Sequence, residues 1–268
     1  MKPDYNELVL SLSRSGQSFC TATVVKAEGS TSARAGSKAI VGADGKLLFG
    51  YVGGGCAEAT VAQEAIDALA DGEPRTVSLE LTDELGGTGM PCGGRMEIFV
   101  EPHVPRPHLL ALGHGRLVEA LTEIGSRAGY RVTVDDPQGT SAGYPSADAV
   151  VTDDPDYEKI AVTKDTWVVV ATHHKSDHLA IRRALDLGAR GISMIASVKR
   201  REVVFDMLRD MGVGPDRLAG IRSPAGLDLG GSTPEEIALS VVAEIAMLRN
   251  GRTGRALIEI KRAAAPAK

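Results

Sequence analysis

The sequence contains few cysteines, few aromatic residues and no long apolar run. Only three of its 268 residues are cysteine, which argues against a disulfide framework and indicates reduced thiols in a cytoplasmic protein. No stretch approaches the about 18 uncharged apolar residues of a membrane span, and the first residues lack the cleavage site of a signal peptide. The net charge of −5 lacks the basic excess of a general nucleic-acid binder.

Prolines separate two regions with different patterns. The stretch 101–108 has three prolines within six residues, which is typical of a linker. Before it, helical and strand patterns are mixed, whereas after it short apolar strands alternate with helices. Such alternation predicts a parallel sheet with helices on both faces. We therefore predict an α/β protein, with a mixed α+β domain over 1–104 and a Rossmann-like doubly wound parallel-sheet domain over 105–268.

Local patterns predict individual elements in both regions. Residues 38–41 and 46–51 flank the turn Asp44-Gly45, which predicts a hairpin. Residues 57–70 have apolar side chains at helical spacing, at positions 61, 65, 66 and 69. Near the C-terminus, a helix is expected to begin after Thr233 as N-cap.

The run Gly53-Gly54-Gly55-Cys56 follows a predicted strand and opens a predicted helix. Three glycines allow a bound group to approach the backbone closely. The positive end of a helix favours the thiolate form of a cysteine placed there. The alternative is a glycine turn followed by a small buried cysteine.

A second cluster, residues 86–94, contains Cys92, Gly93 and Gly94 beside another strand. Cys56 and Cys92 are 36 positions apart without a C-x-x-C pair, so the spacing disfavours a zinc site. Cys20 lies within a strand pattern and is expected in the core.

Two basic residues, Arg34 and Lys38, lie just before or at the start of a predicted strand. They are candidates to hold phosphate through their side chains. The surrounding sequence lacks the G-K-[ST] of a Walker A motif, and solvated surface charges are the alternative.

Gly113-His114-Gly115 follows a buried strand and opens a helix, as in a dinucleotide-binding turn. The third glycine of that fingerprint is replaced by Val118, so the motif is incomplete. Asp135 lies at the end of the next strand, where a ribose-binding acid is expected. The fold therefore predicts a nucleotide-type ligand without specifying NAD.

His173 and Asp177 follow another buried strand, at the edge where open α/β sheets bind ligands. His174 and His178 are four residues apart but lack the glutamate of H-E-x-x-H, which disfavours a metal site. A helix cap by Ser176 or Asp177 is the simpler interpretation.

Four segments together resemble the XdhC/CoxI family, whose members assist the maturation of molybdenum hydroxylases such as xanthine dehydrogenase and aerobic carbon monoxide dehydrogenase. The segments are GSTSARAGSK at 29–38, GGGCAE at 53–58, MPCGGRMEIFVEP at 90–102 and PAGLDLGGSTPEEIALS at 224–240. The spacing of Thr172 and Asp177 is more similar to the branch associated with carbon monoxide dehydrogenase clusters.

The resemblance implies a chaperone that binds molybdenum cofactor, a pterin with a phosphate that is often extended as a cytosine dinucleotide. It implies delivery to an apo molybdenum hydroxylase, and in some members sulfuration with a cysteine desulfurase as sulfur source. A cofactor cytidylyltransferase and a second copy of the chain, as a homodimer, are further expected partners. Cys56 would contact or sulfurate the molybdenum end, and Cys92 would relay sulfur or only pack the loop. The expected cofactor-binding residues are Arg34, Lys38, Gly53, Gly54, Gly55, Gly93, Gly94, Gly113, Gly115, Asp135, His173 and Asp177.

Two enzyme classes remain as alternatives to a maturation chaperone. The first is an NAD(P)-dependent oxidoreductase that uses the Rossmann-like region, against which Val118 counts. The second is a hydrolase or transferase acting on a nucleotide, with Cys56 as nucleophile and a histidine as base. No sequence pattern places a histidine beside Cys56.

Overall fold

The computed structural model describes residues 4–81, 93–172 and 176–264. Contacts divide the chain into two compact units, Met1–Pro105 and Arg106–Lys268, which we call the N-terminal and C-terminal units. In the described ranges, no helix combines the length and apolar character needed to cross a membrane.

The N-terminal unit is built on an antiparallel sheet of five strands in the order β3-β2-β1-β5-β4. The hairpin expected around Asp44-Gly45 is confirmed as β2 and β3. One helix packs on each face of the sheet, because alternate side chains of a strand point to opposite faces. The elements are α1 Tyr5–Arg14, β1 Phe19–Glu28, β2 Lys38–Gly42, β3 Leu47–Gly50, α2 Gly55–Asp71, β4 Arg75–Leu81 and β5 Gly94–His103.

Cys20 belongs to the core between the sheet and α2, as the sequence predicts. Its side chain is completely buried, and Sγ lies 3.4 Å from the carbonyl oxygen of Ala65 on α2. Burial raises the pKa of this thiol to about 11. Cys20 is therefore a packing residue, and its thiol stays protonated at neutral pH.

The helix predicted over 57–70 is confirmed as α2, and only part of its apolar spacing is buried. The buried residues are Ala57, Val61, Ala65 and Ala68, whereas Ile66 is 38% exposed. The four buried positions follow the helical repeat and are small, so the helix lies close to the sheet. Ile66 falls beside this stripe and faces the β2–β3 turn instead.

The predicted linker is also shorter than expected. Glu101, Pro102 and His103 belong to β5 and pair with β1, and His108 already begins the next strand. The β4 strand pairs with β5 only as far as Val100. Beyond that point, within the described residues, β5 pairs only with β1, and a proline is tolerated on such an edge of a sheet.

The C-terminal unit contains a parallel sheet of six strands in the order β11-β10-β9-β6-β7-β8. This is the strand order of a doubly wound Rossmann fold, so the predicted fold class is confirmed. Its strands are β6 His108–Gly113, β7 Arg131–Asp135, β8 Ala149–Val151, β9 Thr166–Ala171, β10 Gly191–Met194 and β11 Ile221–Arg222. Its helices are α3 Arg116–Arg127, α4 Asp177–Asp186, α5 Val198–Asp210, α6 Pro215–Ala219, α7 Pro234–Arg249 and α8 Leu257–Ala264, with a short 3-10 turn at Ser141–Gly143.

Helices cover both faces of this sheet. Along β6, Leu109 packs with α3 and α7, whereas Leu110 and Leu112 pack with α4 and α5. All six residues of β6 are buried, which explains the unbroken apolar run at 109–112. The ligand edge of the fold is the end where the parallel strands finish.

The predicted start of α7 is confirmed in detail. Thr233 is the N-cap, Pro234 is the first helical residue, and Thr233 forms a capping box with Glu236. The helix ends at Arg249 with Asn250 as C-cap, just before the predicted Gly251.

Candidate functional site

The glycine run before α2 adopts a backbone that only glycine accepts readily. The φ angles of Gly53, Gly54 and Gly55 are 126°, 65° and 47°, all in the region that side chains disfavour. Gly54 is the N-cap, and Cys56 is the second residue of the helix. The Cys56 thiol is free and exposed, so the alternative of a buried cysteine is wrong.

The loop of the first motif contacts this glycine run. The Ser32 hydroxyl donates a 2.8 Å hydrogen bond to the carbonyl oxygen of Gly53. A Cβ on Gly53 would lie 2.9 Å from the Met96 methyl group and 3.2 Å from the Ser32 hydroxyl. The turn therefore has no room for a side chain, and its position is tied to the loop at 29–38.

The third motif packs against the same loop. A Cβ on Gly94 would lie 2.3 Å from the carbonyl oxygen of Ser30, and one on Gly29 would lie 3.1 Å from that of Gly93. Only glycines allow these two backbones to approach so closely. Three segments far apart in sequence thus meet around the glycine run that immediately precedes Cys56.

The two predicted basic ligands lie in different local settings, Arg34 in a turn and Lys38 at the start of β2. Arg34 lies in an exposed turn, where the Ser37 amide donates to its carbonyl oxygen over 2.9 Å. Lys38 donates to the Thr23 hydroxyl over 3.1 Å, and its ammonium lies 5.4 Å from the ring centre of Tyr5 on α1. Lys38 therefore faces the α1 side of the sheet, opposite the α2 side.

Cys92 and His173 lie outside the described residues, so the roles predicted for them stay predictions. Within the described ranges, no group of three or more histidine, cysteine, aspartate or glutamate side chains is arranged to hold a metal ion. The single exposed thiol of Cys56 is one ligand that this surface offers.

In the C-terminal unit, Gly113 and Gly115 lie at the switch point between β6 and β9. A Cβ on Gly113 would lie only 2.1 Å from the carbonyl oxygen of Ala171. Gly115 is the N-cap of α3, with a φ of 85°. Val118 stands in the place of the third glycine. It is buried in an apolar cluster with Ala111, Val134 and Tyr144.

An ion pair joins this turn to the C-terminal signature. The Arg116 guanidinium donates from Nε to a carboxylate oxygen of Glu235 over 2.8 Å. Arg116 is the first residue of α3, and Glu235 lies in the first turn of α7. Sequence reasoning missed this pair, because partners 119 residues apart leave no local pattern.

Asp135 is the last residue of β7 and is completely buried. No hydrogen-bond donor within the described ranges reaches either carboxyl oxygen. Burial, and then the neighbouring carboxylates of Asp154 and Asp136, raise the pKa of Asp135 to about 7. The role predicted for Asp135 beside a ribose stays a prediction, and in this conformation its carboxyl is covered.

Asp177 is buried at the start of α4. Its carboxylate accepts a hydrogen bond from the Thr172 hydroxyl and forms a 3.0 Å ion pair with Arg200. The capping prediction is corrected here: Ser176 holds the N-cap position, but its side chain makes no capping bond.

Family models match both parts of the chain. A model described as the XdhC Rossmann domain matches residues 109–245, and one described as the XdhC and CoxI family matches residues 12–80. The chain belongs to the XdhC and CoxI family. The family predicted from the sequence motifs is thereby confirmed.

Three curated relatives are similar to this chain. YqeB, an uncharacterized protein of Escherichia coli K12, is 29% identical over 249 residues, covering 88% of this chain and 44% of YqeB. A probable xanthine dehydrogenase subunit of Bacillus subtilis 168 is 30% identical over 158 residues, covering 57% and 46%. The molybdenum cofactor insertion chaperone PaoD of Escherichia coli K12 is 24% identical over 275 residues, covering 88% and 85%. The chain spans less than half the length of the first two relatives.

Proposed function

We propose that this chain binds molybdenum cofactor as cargo and inserts it into an apo molybdenum hydroxylase. The observation that carries the proposal is the exposed Cys56 thiol, presented by a helix start where three glycine-rich motifs of the XdhC and CoxI family converge. Two relatives support this proposal by name: PaoD is a molybdenum cofactor insertion chaperone, and the Bacillus relative is a probable xanthine dehydrogenase subunit.

The N-terminal unit would hold the metal end of the cargo. Thiolate sulfur is a soft ligand that suits molybdenum, and glycine backbones at Gly53 to Gly55 allow a bulky group to come close. Gly93 and Gly94 complete the same surface. Arg34, exposed in its turn, would bind a phosphate or pterin oxygen, whereas Lys38 would have to leave Thr23 to do so.

The C-terminal unit would hold the nucleotide part of a cytosine dinucleotide form. Gly113 and Gly115 present the start of α3, and unpaired amides at a helix start favour phosphate. Asp135 and Asp177 lie at the same edge of the sheet, and His173 is a further candidate for this ligand. Because Val118 fills the third fingerprint position, we favour this ligand over NAD(P).

The remaining partners follow from the proposed role. A client of the xanthine dehydrogenase or carbon monoxide dehydrogenase type would receive the cofactor. A cysteine desulfurase would supply sulfur where an oxo ligand is exchanged for sulfido, with Cys92 as a second thiol. We further propose a cofactor cytidylyltransferase as donor of the cargo, and a homodimer as the working form.

The test is a binding measurement with purified chain and molybdenum cofactor, with and without its cytidine extension. Molybdenum retained after ultrafiltration is expected to fall about tenfold or more in Cys56→Ala and Cys56→Ser, because both remove the soft ligand. Arg249→Ala, far from the glycine motifs in sequence and placed in the other unit, serves as control and should retain the metal. Clear NAD(P) binding without molybdenum retention would overturn the proposal in favour of an oxidoreductase.

A further inference from the structure

The outer strands of the parallel sheet carry apolar side chains on one face only. Ile192 and Met194 of β10 and Ile221 of β11 belong to the core beneath α4 and α5. Since successive residues of a strand point to opposite faces, Gly191 and Ser193 stand at the positions of β10 that face α7. Within the described residues, β10 therefore adds no apolar side chain to the core around α7.

A cavity of about 350 Å³ lies on this face of the sheet. Its lining includes Trp167, Arg190, Ser193, Arg222 and Leu248 of α7, and none of the described residues that line it is acidic. Sites for small molecules usually measure about 300–1,000 Å³. Trp167 is near the start of β9 and Arg190 directly precedes β10, so the cavity lies beside the strands and not beyond their carboxyl ends.

The indole of Trp167 forms the floor of the cavity. A Cβ on Gly191 would lie 2.5 Å from two ring carbons of Trp167, so the ring rests against the bare backbone of β10. The Arg190 guanidinium lies 5.9 Å from the ring centre, close to the about 6 Å limit of a cation–π contact. The arginine is therefore held loosely, and a flat ring beside the indole would gain the contacts of an aromatic pair.

Ser193 supplies a polar group that lacks a partner. Its side chain is 3% exposed, yet no group in the described part of the chain is hydrogen-bonded to its hydroxyl. Two other buried hydroxyls of this sheet, Thr133 and Thr166, both bond to His108. Buried hydroxyls are normally paired, and because Ser193 borders the cavity, a ligand there would complete it.

Two guanidinium groups make the cavity positive. Arg190 forms no ion pair within the described ranges. Arg222 lies 3.4 Å from a carboxylate oxygen of Glu244, whose other oxygen accepts the Gly226 amide over 3.0 Å. Glu244 is 6% exposed, so it orients Arg222 from inside the fold and leaves other N–H groups of the guanidinium available. Forked N–H groups match the oxygens of phosphate and carboxylate.

We propose that this cavity binds a small oxyanion that carries an aromatic ring. Arg190 and Arg222 hold the phosphate or carboxylate, the Ser193 hydroxyl bonds to it, and the ring packs between Trp167 and Leu248. The residues of this site are separate from those proposed to bind the molybdenum cofactor, so the inference does not rest on the proposed function.

Tryptophan fluorescence of the full chain tests the site, because Trp167 is the only tryptophan in the sequence. Phenyl phosphate and benzoate combine a ring with an oxyanion, whereas inorganic phosphate and phenol each supply one part. We expect saturable changes with the combined probes at millimolar concentrations, and at least about tenfold weaker binding of the single parts. The tighter of the two combined probes identifies the oxyanion. No saturable change with either, or equal affinity for phosphate or phenol alone, would overturn the proposal.

Variants separate the cavity from general charge effects. Arg190→Gln should weaken binding of the combined probes by about tenfold and Ser193→Ala by about threefold, because each removes a hydrogen bond to the oxyanion. Arg249 is the matched control: its guanidinium lies 5.3 Å from the ring centre of Tyr130, outside the cavity. Arg249→Gln should bind as the wild type does. Unchanged affinity in Arg190→Gln, or an equal loss in Arg249→Gln, would contradict the site.

A second measurement on the wild-type chain needs no variant. The single indole N–H signal in NMR spectra should shift with the combined probes and give the same dissociation constants as the fluorescence. A signal that does not move at saturating probe would overturn the proposal. Neither measurement uses the molybdenum cofactor, so a failure of this site and a failure of the proposed function are distinguishable.

Discussion

At the scale of single residues, His108 shows how a polar side chain is accommodated in the core. The ring lies at the start of β6 and is 4% exposed. Its Nδ1 lies 3.0 Å from the Thr166 hydroxyl and its Nε2 lies 3.0 Å from the Thr133 hydroxyl. A neutral imidazole has one donor and one acceptor, and each threonine hydroxyl can serve either one. Burial, and then the Arg131 charge, lower the pKa of His108 to about 4.

The low pKa predicts a pH-dependent contribution to stability. The fold prefers neutral His108, whose ordinary pKa is about 6.5. Its contribution is therefore fully present above about pH 6.5 and lost as the pH falls to about 4, by about 3 kcal/mol. His108→Gln keeps a donor and an acceptor but does not titrate. We expect urea unfolding to show that the stability advantage of the wild type over His108→Gln falls by about 3 kcal/mol as the pH is lowered from about 6.5 to about 4. A stability difference that does not change with pH would contradict this prediction.

At the scale of elements, the sequence predicts what depends on neighbouring residues. The N-cap at Thr233 and the short buried strand before Gly113 are local signals, and both are found. The exposure of Ile66 and the length of β5 depend on which partner each element meets. The sequence around Pro102 predicts a linker, but Pro102 belongs to β5. The strand tolerates this proline because β4 pairs with β5 only as far as Val100.

The turn after β6 gives a prediction with a matched control. Gly113 has a φ of 135° and no room for a Cβ, whereas Gly129 has a φ of 85° with open space around it. Gly129→Ala should cost about 1 kcal/mol for backbone conformation alone. Gly113→Ala should cost about 4 kcal/mol, since a steric clash adds to the strain. Urea unfolding measures both, and equal losses would show that Gly113 is not held by close packing.

At the scale of the whole molecule, the candidate sites are assembled by contacts that no local pattern specifies. Ser32 meets Gly53 and Arg116 meets Glu235, across separations of 21 and 119 residues. Sequence motifs named most of the glycines correctly as special positions. They did not place Lys38 on the opposite face of the sheet or bury Asp135, because both depend on strand register and on the segment that covers the edge.

Separate cores in the two units predict that the C-terminal unit folds alone. Its apolar clusters are drawn entirely from residues after 106. A fragment of this unit should begin before Arg106, because the Arg106 guanidinium pairs with Asp148 and donates to the carbonyl oxygen of Tyr130. A fragment of 104–268 should unfold cooperatively in urea. A fragment of 108–268 should be less stable by about 1–2 kcal/mol, because it also loses the bond from the Arg131 amide to Pro107. If neither fragment folds, the fold of this unit depends on the N-terminal chain, and equal stabilities would show that Arg106 contributes nothing.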